Sequence, residues 1–152
     1  LVVASNPALL ERYRARLRAA GTGLGNLFGT IALEAAYTHG DEWLDQLLAY
    51  LAGNVAFTER FVTERLPGLR LVRPEGTYLA LIDCRALGMP QADLDEFFLR
   101  RARVFFDGGA MFGPEGNGFE RINLACPRAT LAKALGRIER ARGLTAQRER
   151  RA

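Results

Sequence analysis

The sequence predicts an α/β chain, mostly helical as far as about Leu66 and mixed strand and helix beyond it. Three observations carry that prediction. Apolar residues recur every three or four positions through the first part, as in Leu44, Leu47, Leu48, Leu51 and Val55, which is the period of a helix buried along one stripe. After Pro67 the period drops to two around Thr77–Cys84 and again around Ile122 and Leu124, which is the alternation of strands. Glycine, proline and asparagine cluster where the period changes.

Taken in order, Leu1 to Ser5 reads as a strand. A lone strand cannot satisfy its own backbone groups and no initiator Met precedes it, so the sequence predicts a fragment of a longer protein. Asn6-Pro7 is a helix start, with Asn6 as the cap and Pro7 in the first turn, where its missing N–H costs nothing. That helix should reach about Ala20, with Leu9, Leu10, Tyr13 and Leu17 as its stripe and four arginines on its solvated flank. Gly21 to Asn26 matches neither a Walker loop nor GxGxxG and reads as a linker or helix-entry loop. Leu27 to His39 is a second helix, its terminal His39 suited to capping by the helix dipole. Asp41 opens the longest helix, which should reach about Leu66 and join two lobes.

Leu69–Val72 and Thr77–Cys84 then form a hairpin or near-hairpin around Pro74-Glu75-Gly76. Ala92 to Ala102 is helical and Val104 to Phe106 is a short strand. Asp107 to Gly118 is a glycine-rich connection, whose glycines allow close approach of a ligand or of another segment. A final helix from Arg128 to about Arg142 buries Leu131, Leu135 and Ile138, followed by a charged tail over 144–152. The predicted organisation is 1–54, 55–143 and that tail, and no internal repeat is visible.

Composition narrows the function classes. A chain of 152 residues, 49% hydrophobic and 25% charged, has the make-up of a globular protein with a sizeable core. The net charge of +4 comes from basic residues interspersed with acidic ones, and no pattern of aromatic and basic residues accompanies it, which argues against nucleic acid. Cys84 and Cys126 lack CxxC spacing and have only His39 for company, so a zinc site is not expected and two buried thiols are. No run approaches the ~18 apolar residues of a membrane span and no signal peptide is visible, so a cytosolic protein is predicted.

The stretch with most chemical content is Gly118-Phe119-Glu120-Arg121-Ile122-Asn123-Leu124-Ala125-Cys126-Pro127-Arg128. Alternation puts Ile122 and Leu124 on one face and Phe119, Arg121 and Asn123 on the other. An Arg held on a rigid strand is a carboxylate receptor, since its planar fork matches two carboxylate oxygens and stays charged. An edge-strand Arg facing water fits the same alternation, and periodicity alone leaves both readings open.

With two earlier blocks, that stretch resembles the C-terminal part of fold-type I pyridoxal-phosphate enzymes of the class I/II aminotransferase superfamily, in the cystathionine β-lyase (cysteine-S-conjugate β-lyase) branch. The earlier blocks are Ala35-Ala36-Tyr37 through Gly40-Asp41-Glu42-Trp43-Leu44, and Pro74-Glu75-Gly76-Thr77-Tyr78-Leu79-Ala80 followed by Asp83-Cys84-Arg85. The resemblance implies the end of a large cofactor domain over 1–54 and an α+β small domain over 55–143. It implies pyridoxal 5'-phosphate as the cofactor of the full-length enzyme, a small amino-acid substrate and a homodimer. It gives Arg121 the substrate α-carboxylate, with Asn123 as a neighbouring binding residue. The one lysine, Lys133, falls in the last helix where the family has no catalytic residue, so the Schiff-base lysine is expected upstream and the chain is expected to be inactive alone. The implied reaction is β-elimination from cystathionine or cysteine S-conjugates to pyruvate, ammonia and a thiol. Transamination is the alternative, and a non-catalytic ligand-binding or dimerisation module, or a plain structural domain, would carry the same residues.

Overall fold

A computed structural model describes residues 2–22 and 25–149, with the side chains of 144–149 excepted. The element order is α1 (Pro7–Ala19), α2 (Leu27–His39), α3 (Asp41–Arg65), β1 (Arg70–Val72), β2 (Leu79–Asp83), α4 (Gln91–Glu96), β3 (Asp107–Gly108), β4 (Phe119–Asn123) and α5 (Arg128–Glu149), with short 3-10 turns between them. The chain forms two compact units, Leu1–Asp45 and Gln46–Ala152.

In the first unit the helix starts follow the predicted chemistry. The Asn6 side chain accepts from the backbone N–H groups of Ala8 and Leu9 at 3.0 and 3.3 Å, with Pro7 in the first turn. Asn26 does the same for α2, accepting from Phe28 N–H at 3.0 Å. Residues 2–5 do not form the predicted strand, because no described segment offers them a ladder. The loop residues Gly23 and Leu24, and Leu1 itself, lie outside the described residues. Neither α1 nor α2 buries a residue, and Leu27, Phe28, Ile31, Leu33 and Tyr37 on α2 are all exposed.

The second unit is an antiparallel sheet of order β1-β2-β4-β3 with helices on one face. Leu71, Ala80, Ile82 and Ile122 point into a core closed by Val55, Phe61 and Val62 of α3, Leu94 of α4 and Leu131, Leu135 and Ile138 of α5. Burying each of the larger side chains among these, the Val, Leu, Ile and Phe, contributes about 1.5–3 kcal/mol.

Three predicted boundaries change. The strand expected at Val104–Phe106 is displaced to Asp107–Gly108, the residues whose backbones face Arg121 and Glu120 of β4. The helix expected over Ala92–Ala102 is α-helical only to Glu96 and continues as a π-helix over Phe97–Ala102. Arg103 closes it in the left-handed region at φ 55°, its N–H and that of Val104 both donating to the Phe98 carbonyl. Finally, α5 runs on through Leu144 to Glu149, where a tail was expected, and 150–152 lie outside the described residues. Among the described residues no helix is long and apolar enough to cross a membrane, and no cluster of metal-ligating side chains occurs.

Candidate substrate-carboxylate site

The site is built on β4, where the period-two pattern holds. Glu120, Ile122 and Leu124 are buried among the helices, while Phe119 and Arg121 stand half-buried on the opposite face. β4 lies between β2 and β3, with Arg121 opposite Leu81 on one side and Asp107 on the other.

The guanidinium of Arg121 is held in two directions. Its Nε and Nη2 donate to one oxygen of Asp107, Oδ2, at 3.1 and 2.7 Å, a cross-strand ion pair between directly opposed residues. The ring of Phe112 lies against its face, 4.7 Å from the guanidinium carbon. Nη1 makes no hydrogen bond among the described residues, and the side chain is 30% exposed. Beside it opens a cavity of about 520 Å³ lined by Leu81, Gly109, Phe112, Glu115, Gly116, Phe119 and Arg121. The lining is mostly apolar, with one cation, Arg121, and one carboxylate, Glu115, and the Arg121 guanidinium is the group that could receive the carboxylate of a small ligand.

The glycine-rich connection forms one wall of this cavity, and its glycines have a structural purpose. A Cβ on Gly109 would overlap the carbonyl oxygens of Gly116 and Phe119, and one on Gly116 would overlap the Gly109 carbonyl. Close approach there is therefore of backbone to backbone. Gly118, at φ +81°, turns the chain into β4, donating its N–H to Gln91 Oε1 at 2.8 Å and accepting from Cys84 N–H at 2.8 Å.

Asn123 stands apart from the cavity. It is exposed and its Oδ1 accepts from Ala125 N–H at 2.8 Å, a turn that ends the strand. Lys133 is exposed on α5 between buried Leu131 and Leu135. Arg128 is engaged elsewhere: its Nε donates to Asn54 Oδ1 at 2.6 Å and its guanidinium lies 4.9 Å from the Phe57 ring centre.

Behind the Arg121 strand is an acidic cluster. Burial, together with the neighbouring Asp95 and Asp107, pushes the Glu120 carboxyl up to about 8, against a smaller opposing contribution from the Gln91 amide. Gln91 Nε2 reaches both Asp95 Oδ1 at 2.6 Å and Glu120 Oε1 at 3.0 Å. On the cavity side of the sheet, Asp83 takes Arg85 through both oxygens at 2.9 and 2.8 Å and Arg70 at 2.9 Å. Arg85, with burial opposing, holds the Asp83 carboxyl well below the ordinary range. Arg85 also lies over Phe119, 4.7 Å from the ring centre, which supports the cavity floor.

Sequence reasoning singles out Arg121 but not Asp107 or Phe112, the two residues that the structure sets against its guanidinium. In the sequence Asp107 opens the glycine-rich connection, and its alignment opposite Arg121 depends on a strand pairing that alternation over two residues cannot reveal.

No family model matches the chain. Known proteins do resemble it. It is 37% identical over 130 residues to cystathionine beta-lyase PatB of Bacillus subtilis (strain 168), a stretch that is 86% of this chain and 34% of that one. The crystal structure of cystalysin from Treponema denticola, which contains a pyridoxal 5'-phosphate cofactor, superposes with a TM-score of 0.85 at 36% identity, covering 91% of this chain and 35% of that one. The aromatic aminotransferase from Pyrococcus horikoshii OT3 is more distant, at a TM-score of 0.63 and 25% identity over 71% of this chain and 28% of that one. The chain spans about a third of the length of the curated relatives it matches.

Proposed function

Because the chain belongs to the fold-type I pyridoxal-phosphate enzymes, in their cystathionine β-lyase branch, we propose that it is the C-terminal, carboxylate-binding part of a carbon–sulfur β-lyase. The substrates proposed are cystathionine or cysteine S-conjugates, and the products pyruvate, ammonia and a thiol. The observation that carries this reading is Arg121 on β4, with one guanidinium end free of hydrogen bonds among the described residues, beside a largely apolar cavity.

The residues present supply substrate orientation and not cofactor attachment. Lys133, the one lysine of the chain, lies on α5 at an exposed position separate from the residues lining the cavity, so no lysine of this chain stands ready there for the cofactor aldehyde. When bound by the whole enzyme, pyridoxal phosphate supplies the electron sink for breaking the Cα–H bond and then the Cβ–S bond. This chain's share is to grip the α-carboxylate through Arg121 and so fix the direction of the Cα–H bond. Leu81, Phe112 and Phe119 keep that end of the substrate out of bulk water, which strengthens the ion pair. In this reading 1–54 belongs to the cofactor domain, 55–143 is the small domain, and the whole enzyme is a cytoplasmic homodimer.

The likeness to an aromatic aminotransferase keeps transamination as the second reading, since the same carboxylate grip serves both reactions. One assay addresses both. In the full-length enzyme, Arg121→Ala should lower kcat/KM for pyruvate release from cystathionine by about 30-fold to several thousand-fold, the loss of a charge-assisted pair worth roughly 2–5 kcal/mol. Arg121→Lys should recover only part, because a point charge lacks the planar fork. Stoichiometric amino transfer to a keto acid, without pyruvate or thiol, would establish the second reading. Near wild-type kcat/KM in Arg121→Ala would remove the carboxylate role altogether.

A further inference from the structure

We infer that Asp107 is a positioning residue for Arg121, taking the Nε and Nη2 edge of the guanidinium so that the Nη1 end is left to receive the substrate carboxylate. This rests on the reading of Arg121 as the carboxylate receptor.

A guanidinium has two edges on which a carboxylate can sit, one formed by Nε and an Nη and the other by the two Nη groups. Here the first edge is taken, by Oδ2 of Asp107 at 3.1 and 2.7 Å, and Nη1 at the other has no hydrogen bond among the described residues. Phe112 covers a face of the same group at 4.7 Å. An arginine side chain loses substantial rotamer freedom when it is fixed, and a side chain fixed before the ligand arrives spares the ligand that cost.

Asp107 itself is well placed to do this. Its backbone is paired in register with Arg121, and its neighbour Gly108 is packed so tightly that an added Cβ would come within 2.9 Å of Asp95 Oδ1. Gly109 is held more firmly, against the backbone carbonyls of Gly116 and Phe119. The ion pair is too exposed, at 30% and 35% for the two side chains, to be of much value for stability alone.

Electrostatics sets a competing expectation, which gives the test its sign. A second carboxylate near the guanidinium should repel the substrate's own, so a partner that merely neutralised Arg121 would weaken substrate binding, and its removal would strengthen it. Positioning predicts the opposite, because the repulsion acts across the width of the guanidinium in a partly solvated place where it is damped.

The experiment uses the full-length holoenzyme and cystathionine. Asp107→Ala is expected to raise KM about tenfold while kcat stays within about twofold, with Asp107→Asn between it and wild type because one acceptor oxygen remains. The inhibition constant of L-alanine should rise in parallel, whereas that of L-alaninamide, which has no carboxylate, should not move. In an Arg121→Ala background, Asp107→Ala should add nothing. A lower KM in Asp107→Ala would overturn the inference and make Asp107 a competitor of the substrate. Equal weakening of L-alanine and L-alaninamide would overturn it too, since Asp107 would then serve only general structure. If Arg121→Ala binds L-alanine as well as wild type does, the carboxylate reading beneath the inference is itself wrong, an outcome distinct from the other two.

Discussion

Replacing Asn54 by Ala should cost this protein more stability than any change at its exposed asparagines. Asn54 is wholly buried on α3, and its amide ties three segments together. Its Nδ2 donates to the carbonyls of Leu124 at 2.8 Å and Cys126 at 3.0 Å, and its Oδ1 accepts from Arg128 Nε at 2.6 Å. Leu124 is fully buried, so its carbonyl would lose a partner where water is scarce, at about 1–3 kcal/mol. Cys126 and Arg128 are half-buried and could recover water, so each loss lies nearer ~1 kcal/mol. Together the expected loss is about 3–5 kcal/mol, a large part of the roughly 5–15 kcal/mol that holds a typical domain folded. The control is Asn123→Ala, which removes one exposed hydrogen bond to Ala125 N–H and should cost about 0.5–1 kcal/mol. Urea unfolding followed by far-ultraviolet circular dichroism reads both, with an unchanged m-value ensuring that the midpoint reports stability. A loss below about 1 kcal/mol for Asn54→Ala, or one equal to that of Asn123→Ala, would refute the reasoning, because those buried carbonyls would then have other ready partners.

Three further outcomes follow from the structure. Glu120 keeps its proton in the folded state to about pH 8 but only to its ordinary value of 4.5 when unfolded, so its contribution to stability is full below the lower value and is lost as pH rises between the two. Glu120→Gln should therefore flatten the stability profile across that window and raise stability at pH 9, which urea midpoints measured from pH 5 to 9 would check. Burial, aided by Glu120 and Asp83, pushes the Cys84 thiol up, so brief iodoacetamide treatment of the native chain should label half-exposed Cys126 first, as peptide mass spectrometry would show. The isolated chain mixed with equimolar pyridoxal phosphate and reduced with borohydride should give no stoichiometric adduct on Lys133, and a full-occupancy adduct that also turns over cystathionine would contradict the orientation role proposed for it.

Local chemistry was legible in the sequence wherever one segment decided its own conformation. Asn6-Pro7 announced α1, and the alternation through Phe119 to Leu124 placed Arg121 and Ile122 on opposite faces. What depended on distant partners was not legible. The first strand needed a ladder that residues 2–5 do not find, and β3 shifted to the residues opposite Glu120 and Arg121. The π-helical turn depends on how Arg103 and Val104 close onto Phe98. Asn54 did leave a signal: Leu51, Asn54, Thr58 and Phe61 share one helical stripe, and a carboxamide on a buried stripe requires partners. Glu120 left another, since the parity that buries Ile122 and Leu124 buries it as well.

The contact of Gly109 with Gly116 makes the intervening stretch work like a buckled strap, fastened at its base and free to vary along its length. Met111, Phe112 and Glu115 all lie within the strap, and their side chains are not needed to fasten it. An engineer wishing to change which side chains the cavity admits could therefore vary Glu115, which lines it, while leaving both glycines, Phe112 and the Asp107–Arg121 pair untouched. Selectivity would then be tuned on a replaceable rim, and Arg121 would stay at its address on the sheet.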